Sequence, residues 1–361
     1  MTLISGFSIY GHANCYLNNE MSYCVKFVEK WLSSKSGFGP AAILLFVFFL
    51  SWVSPAYCGE TDAYYFSKVG DWKKAVAAFS AVLRENPQTA DFNKAAEAYY
   101  YYGKLDSAED AAKKALERSD SLDSRVILLL VMAKKGRPDE ALKELESLKK
   151  NTSDDYKIFT AMGMIKLPDD SEAALSFFNR ALEKNTDDFF AWFNIGLIYE
   201  EDESFENATK AYKNAIRINP LFAQAQNNLG YSYKERHFYA YAVEHYLKAV
   251  ELRPDNPGYY YNVGNAYTHQ EKIEEAFQVY KKALELDPSF AKAHYNMART
   301  YLRKDMVREA IEEFRLYLKY GNKAVFNYVT PKKIVEDEIE DLELYLKDNP
   351  SAKPVARNIA K

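Results

Sequence analysis

Residues 192–220 read WFNIGLIYEEDESFENATKAYKNAIRINP, and the same phrase returns in altered spelling at 226–254 (QNNLGYSYKERHFYAYAVEHYLKAVELRP) and 260–288 (YYNVGNAYTHQEKIEEAFQVYKKALELDP). Gly196, Gly230 and Gly264 stand 34 residues apart, as do Tyr199, Tyr233 and Tyr267, then Ala208, Ala242 and Ala276, then Tyr212, Tyr246 and Tyr280. Ala215, Ala249 and Ala283 follow in the same register, and Pro220, Pro254 and Pro288 close the copies. A fixed period of this length marks a stack of identical supersecondary units. Each residue type has a physical reason. Small Gly and Ala let two antiparallel helices approach closely, aromatic rings fill the wider gaps, and Pro cannot continue a helix and so sets the turn into the next unit.

Tracing the second-helix alanine outward gives Ala75, Ala108, Ala141 and Ala174 before these copies and Ala310 after them, at spacings of 33 or 34, so the array has about eight units. Phe79 with Pro87 supports the earliest copy, and Gly70, Gly103 and Gly136 fall in the tight turn between the two helices of a unit. From 89 to 188 most Trp, Gly and Pro landmarks are missing, and the turn near Leu167-Pro168 is one residue short. The expected organisation is degenerate repeats over 59–188, well-matched repeats over 189–324, a capping helix within 325–348 and a disordered tail over 349–361. In the cap, Lys333 to Lys347 carries Ile334, Ile339, Leu342 and Leu346 at helical spacing, suited to covering the last apolar face of a stack.

Composition agrees with helix. Gly and Pro number only 14 and 12 in 361 residues, too little punctuation for a sheet protein. Net charge is -4, from 47 basic and 51 acidic residues, without the concentrated positive charge that a phosphate backbone requires, so nucleic acid is not an expected partner.

The pattern W-x2-L-G-x2-Y, then A-x3-F, then A and P resembles the tetratricopeptide-repeat family, matched nearly position for position from 189 to 290. The resemblance implies an all-α, right-handed superhelical solenoid of helix-turn-helix units whose first helices line a concave groove for protein or peptide partners. It also implies that positions 2, 6, 9 and 13 of each first helix share that face. Their spacing of four, three and four is independently one stripe of an α-helix. The stripe reads Phe190, Asn194, Leu197, Glu201; Gln224, Asn228, Tyr231, Glu235; Gly258, Asn262, Asn265, His269; and Lys292, Asn296, Arg299, Arg303.

Two features of the stripe mark a candidate peptide groove formed by Asn194, Asn228, Tyr231, Asn262, Asn265, Lys292, Asn296, Arg299 and Arg303. The first is an asparagine at one position in four consecutive units. Such a ladder can bond the main chain of an extended peptide, since each carboxamide both donates and accepts, and it resembles the ladder of O-linked N-acetylglucosamine transferases. Bonding within the array is the alternative. The second is the cluster Lys292, Arg299 and Arg303, which looks like the basic end of a carboxylate clamp. A solvated charged face near a terminal cap is the alternative there. Tyr231, Tyr261, Tyr295 and Phe193 are the aromatics expected to face a ligand.

At the other end, Ala41 to Val53 reads AAILLFVFFLSWV. This run is short of the roughly 20 residues of a spanning helix. With Lys26, Lys30 and Lys35 upstream and small residues at 54–58, it reads as a signal h-region within an export segment 1–58, Met21 offering a second start. The expected location is therefore the periplasm or cell envelope. Cys58 offers a lipid anchor as an alternative to cleavage, and an uncleaved anchor is another.

No P-loop, dinucleotide-binding, nucleophile-elbow or H-E-x-x-H motif occurs. The three cysteines all precede residue 59 and the five histidines are scattered, so no metal, cofactor or catalytic residue is expected. The expected function is a non-enzymatic scaffold of the cell envelope that binds an extended peptide or helix. The alternative is a structural or accessory subunit of a secretion, pilus or polysaccharide-export assembly, self-associating as a homo-oligomer.

Overall fold

The computed structural model describes residues 55–84, 87–151 and 155–349. The apolar run 41–53 and the tail from 350 lie outside these residues. Among the described residues every regular element is an α-helix, and sixteen of the helices pair into eight units. The units are α1 (Pro55–Val69) with α2 (Trp72–Val82), α3 (Thr89–Tyr102) with α4 (Leu105–Arg118), α5 (Leu122–Lys134) with α6 (Pro138–Asn151), and α7 (Tyr156–Lys166) with α8 (Ser171–Lys184). They continue with α9 (Phe189–Glu201) and α10 (Phe205–Ile218), α11 (Ala223–Glu235) and α12 (Tyr239–Leu252), α13 (Pro257–His269) and α14 (Ile273–Leu286), then α15 (Ala291–Arg303) and α16 (Val307–Tyr320). A short α17 (Lys323–Tyr328) and the terminal α18 (Lys332–Asp348) follow.

The close approach expected of each pair is met by one recurring fit. The second-helix alanines Ala75, Ala108, Ala141, Ala174, Ala208, Ala242, Ala276 and Ala310 are all fully buried. In units 4 to 7 a first-helix glycine also leaves a notch that an aromatic ring of the second helix fills. A Cβ on Gly230 would lie 2.7 Å from the Tyr246 ring, and one on Gly163 would lie 2.6 Å from Phe178. Gly196 receives Tyr212 and Gly264 receives Tyr280 in the same way. Interiors packed this tightly cannot absorb even one added methyl without shifting.

A second recurring bond ties units 5, 7 and 8 to the turn before each. Trp192 Nε1 donates to the Thr186 carbonyl at 2.9 Å, the Tyr260 hydroxyl to Pro254 at 3.2 Å, and His294 Nε2 to Pro288 at 3.0 Å. Three side-chain types thus reach the carbonyl six residues earlier, so Trp, Tyr and His serve alike at this repeat position. Gln226, the fourth residue in this register, instead bonds His245 at 2.9 Å.

The turns divide into two kinds. Gly70, Gly103 and Gly136 take positive φ, the left-handed region open to glycine at least cost. At the equivalent place in later units stand Glu203, His237, Glu271 and Asp305, with φ of 56–62°, a conformation that nothing in their side chains announces. The turn after α7 has no left-handed residue, consistent with its missing residue.

The cap differs from expectation in phase. Val335, Ile339 and Leu342 are buried against Phe314 and Tyr317 of α16, whereas Ile334 is 54% exposed. The covering stripe runs 335, 339, 342 and 346, so Ile334 falls about 100° away from it. The linker also binds the core: Tyr317 Oη donates to the Thr330 carbonyl at 2.6 Å.

Candidate functional site

On the first-helix side of units 6 to 8, side chains of α11, α13, α14 and α15 enclose a cleft of about 280 Å³. Lys234, His269, Arg299 and Arg303 give it basic walls, while Asn265, Asn296, Thr268, Thr300 and the Tyr280 hydroxyl supply bonding groups. The core holds this lining in place. The Tyr280 ring fills the Gly264 notch, which aims its hydroxyl outward to donate to Asn265 Oδ1 at 2.8 Å and to accept from Asn296 Nδ2 at 3.3 Å. Asn296 also donates to Asn265 Oδ1 at 2.6 Å. A fully buried ring therefore fixes two carboxamides on neighbouring units.

Four of the expected groove residues converge in this cleft: Asn265, Asn296, Arg299 and Arg303. The others lie beside it or within the packing. Asn262 Nδ2 donates to Asn227 Oδ1 at 2.7 Å, linking units 6 and 7. Asn228 is buried and donates to the Tyr212 hydroxyl at 3.3 Å. Asn194 is buried as well and donates to the Phe190 carbonyl of its own helix at 2.7 Å. Tyr231 packs edge-on against Phe205 and carries the Lys234 ammonium 4.7 Å from its ring centre. Lys292 is half-buried on α15, outside the cleft lining.

Three of the four aromatics expected to face a ligand turn inward instead. Phe193 is buried against Phe222, Tyr261 packs on Phe290, and Tyr295 packs on Phe314 and Tyr317. Their position sits between the helices of a unit rather than on the stripe, so ring burial decides their orientation.

Electrostatics favour an anion, with one acidic competitor. Arg299 is paired at 2.8 Å with Glu338 of the capping helix. Burial raises the Glu338 pKa and the Arg299 charge opposes that rise. Lys234 meets Glu235 at 2.7 Å. Arg303 is exposed and has no ion-pair partner within 4 Å among the described residues. Burial, with Lys234 and Arg303 adding to it, lowers the His269 pKa, and its ring stacks parallel to Tyr239 at 4.7 Å. The histidine is thus neutral near pH 7, and the cleft's positive charge comes from lysine and arginine.

The stripe at positions 2, 6, 9 and 13 missed Lys234, Thr268 and Thr300. Lys234 and Thr268 occupy the position just before the thirteenth, so the groove is wider than one row of side chains. Among the described residues no group of three or more His, Cys, Asp or Glu side chains could hold a metal, and no helix is long and apolar enough to cross a membrane.

Family models described as tetratricopeptide repeat match residues 93–156 and 191–220, and a TPR-repeat model matches 239–270 and 264–305. Several solved structures are similar in fold. MamA from Desulfovibrio magneticus RS-1 aligns with a TM-score of 0.44 and 22% identity, over 46% of this chain and 94% of that one. YrrB, described as a TPR protein with an unusual peptide-binding site, aligns at 0.45 and 20% identity over 56% and 97%. Yeast Tom70 aligns at 0.49 and 17% identity over 82% and 66%. No curated protein matches the sequence.

Proposed function

This chain belongs to the tetratricopeptide-repeat family, and from that premise we propose that it is a non-enzymatic scaffold gripping an extended protein segment in the cleft of units 6 to 8. The observation that carries the reading is the convergence of Asn265, Asn296, Arg299, Arg303 and Lys234 on one concave site of about 280 Å³. The carboxamides suit the main chain of a partner, and the guanidinium groups suit a carboxylate, through charge-assisted bonds. The partner is therefore an extended segment with an acidic side chain or a free C-terminus. The apolar run at 41–53 and the basic residues before it support an exported, envelope-associated scaffold.

Panning a random octapeptide library against the immobilised chain tests this. The reading expects enrichment of acidic or carboxyl-terminal sequences, lost when Arg299→Ala and Arg303→Ala are combined. Equal enrichment by the double variant would remove it.

A second reading, self-association in an envelope assembly, draws on α12 and its N-cap, where Phe238, Tyr241 and Leu247 are 46%, 56% and 42% exposed. Light scattering across a hundredfold range of concentration separates the two. A constant monomer mass argues for the scaffold alone.

A further inference from the structure

The first hairpin turn of the array rests on turns that come much later in the chain. Asn219 Nδ2, between α10 and α11, donates to the Lys68 carbonyl at 3.0 Å across 151 residues. Arg253 Nη1, between α12 and α13, donates to the Gly70 carbonyl at 3.3 Å across 183 residues. Lys74 Nζ meets Asp255 at 2.7 Å. Gly70 lies so close on Phe222 that a Cβ would stand 2.6 Å from the ring. Below the turn, Trp72 stacks on Tyr101 at 4.7 Å and Tyr101 on Phe190 at 5.2 Å. Tyr101 and Phe190 belong to the inner stripes of α3 and α9. The chain's own hairpin thus occupies an inner surface of the kind the later units leave open.

The contact is incomplete in one respect. Arg253 Nε is buried without a hydrogen-bond partner, 3.6 Å from Asp71 and 3.9 Å from Asp255. A buried donor left unsatisfied weakens an interface that is otherwise complementary. Away from the tip the hairpin is fixed to unit 2: Tyr64 Oη donates to Asp91 at 3.3 Å, Ser80 and Tyr99 share a hydrogen bond of 2.9 Å, and Val76, Phe79 and Val82 are buried in a core shared with α3. The contacts with the later units are made by the tip alone.

We propose that the tip of the first hairpin, residues 67–74, is a latch, a resident self-ligand that lifts off the later units while the rest of α1 and α2 stays packed on unit 2, and so uncovers a second binding surface made by Tyr101, Phe190, Phe222 and Arg253. The latch shows the chemistry this surface takes: a carboxylate beside Arg253, as Asp71 provides, followed by an aromatic ring on Tyr101, as Trp72 provides. A partner segment with an acidic residue next to an aromatic one competes with the latch for this place. The proposal is independent of the cleft in units 6 to 8.

The test uses the full chain and a variant combining Trp72→Ala with Lys74→Ala, which loosens the latch and leaves the surface beneath it intact. Amide hydrogen exchange at residues 67–74 should accelerate at least tenfold in the variant, with 257–348 unchanged. A fluorescent peptide of residues 67–74 should bind the variant at least tenfold more tightly than the native chain, and its Trp-to-Ala form should bind neither. Unchanged exchange at 67–74, or a loss of protection spread evenly along the array, would show that the tip is a fixed structural part. Equal binding of the two peptides, or no binding of either, would show that no site lies beneath it.

Discussion

Tyr280, buried between the helices of unit 7, bonds through its hydroxyl both to Asn265 of its own unit and to Asn296 of unit 8. Tyr212 stands in the same relation to Asn228 two units earlier, and its hydroxyl also donates to Glu200 at 2.8 Å. In units 5 and 7 one residue therefore both fills a notch in the core and holds polar groups of the first helices. Packing and binding are coupled at the level of a single side chain.

Tyr280→Phe keeps the ring and removes only the hydroxyl. It should lower stability by about 1 kcal/mol, the net worth of a hydrogen bond with a neutral partner, and weaken binding of an acidic octapeptide. Thermal melting and a fluorescence titration read the two effects. A variant indistinguishable from the native chain in both would show that the hydroxyl positions nothing.

Gly230→Ala sets two effects against each other. Alanine favours an exposed helix interior by about 1 kcal/mol over glycine, but overpacking against the Tyr246 ring costs about 1–3 kcal/mol. The second wins, because the Ala242 carbonyl at 3.1 Å closes the other side of the notch. A lower guanidinium midpoint with unchanged slope is expected. A higher midpoint would mean that the notch has room to spare.

Two histidines give stability opposite pH dependences. Burial disfavours charged His294, but Glu313 at 2.6 Å and the Pro288 carbonyl outweigh burial and raise its pKa. Its contribution is fully present below the unfolded value of about 6.5 and is lost as pH rises through the folded value. Burial, with Lys248 and Lys213 nearby, lowers the His245 pKa to about 4. Its contribution is present above about 6.5 and is lost as pH falls towards 4. Denaturation curves from pH 4 to 8 should therefore show His245→Gln flattening the acid side and His294→Gln the alkaline side. The opposite assignment would refute the burial of His245 and the hydrogen bonding of His294 described above.

Glu338→Gln removes the carboxylate that occupies Arg299. A partly exposed pair of this kind is worth up to about 1 kcal/mol, so an acidic octapeptide should bind up to roughly fivefold more tightly. Weaker binding would mean that Glu338 orients Arg299 rather than competing for it.

Much of the fold was legible in sequence because the repeating contact is local. Gly196 and Tyr212, or Gly230 and Tyr246, belong to the same unit and recur in phase, so the fit between them writes itself into the period. The early units showed through the alanines at 75, 108, 141 and 174 and the turn glycines, although their aromatic landmarks had drifted. The site was half legible. Asn265, Asn296, Arg299 and Arg303 came from one helical stripe, whereas Lys234 lay a position outside it. The bond from Arg299 to Glu338 depends on how the cap docks, which the period does not encode. The contacts of Lys68, Gly70 and Lys74 with Asn219, Arg253 and Asp255 span more than 150 residues and obey no repeat. They follow only from how the units stack.

The most direct test of the recognition surface is hydrogen exchange of the chain with and without a saturating acidic octapeptide from the library. Protection gained in α11, α13 and α15, and abolished when Arg299→Ala and Arg303→Ala are combined, is the predicted result. Protection confined to α12, α14 and α16, or retained in full by the double variant, would contradict the account.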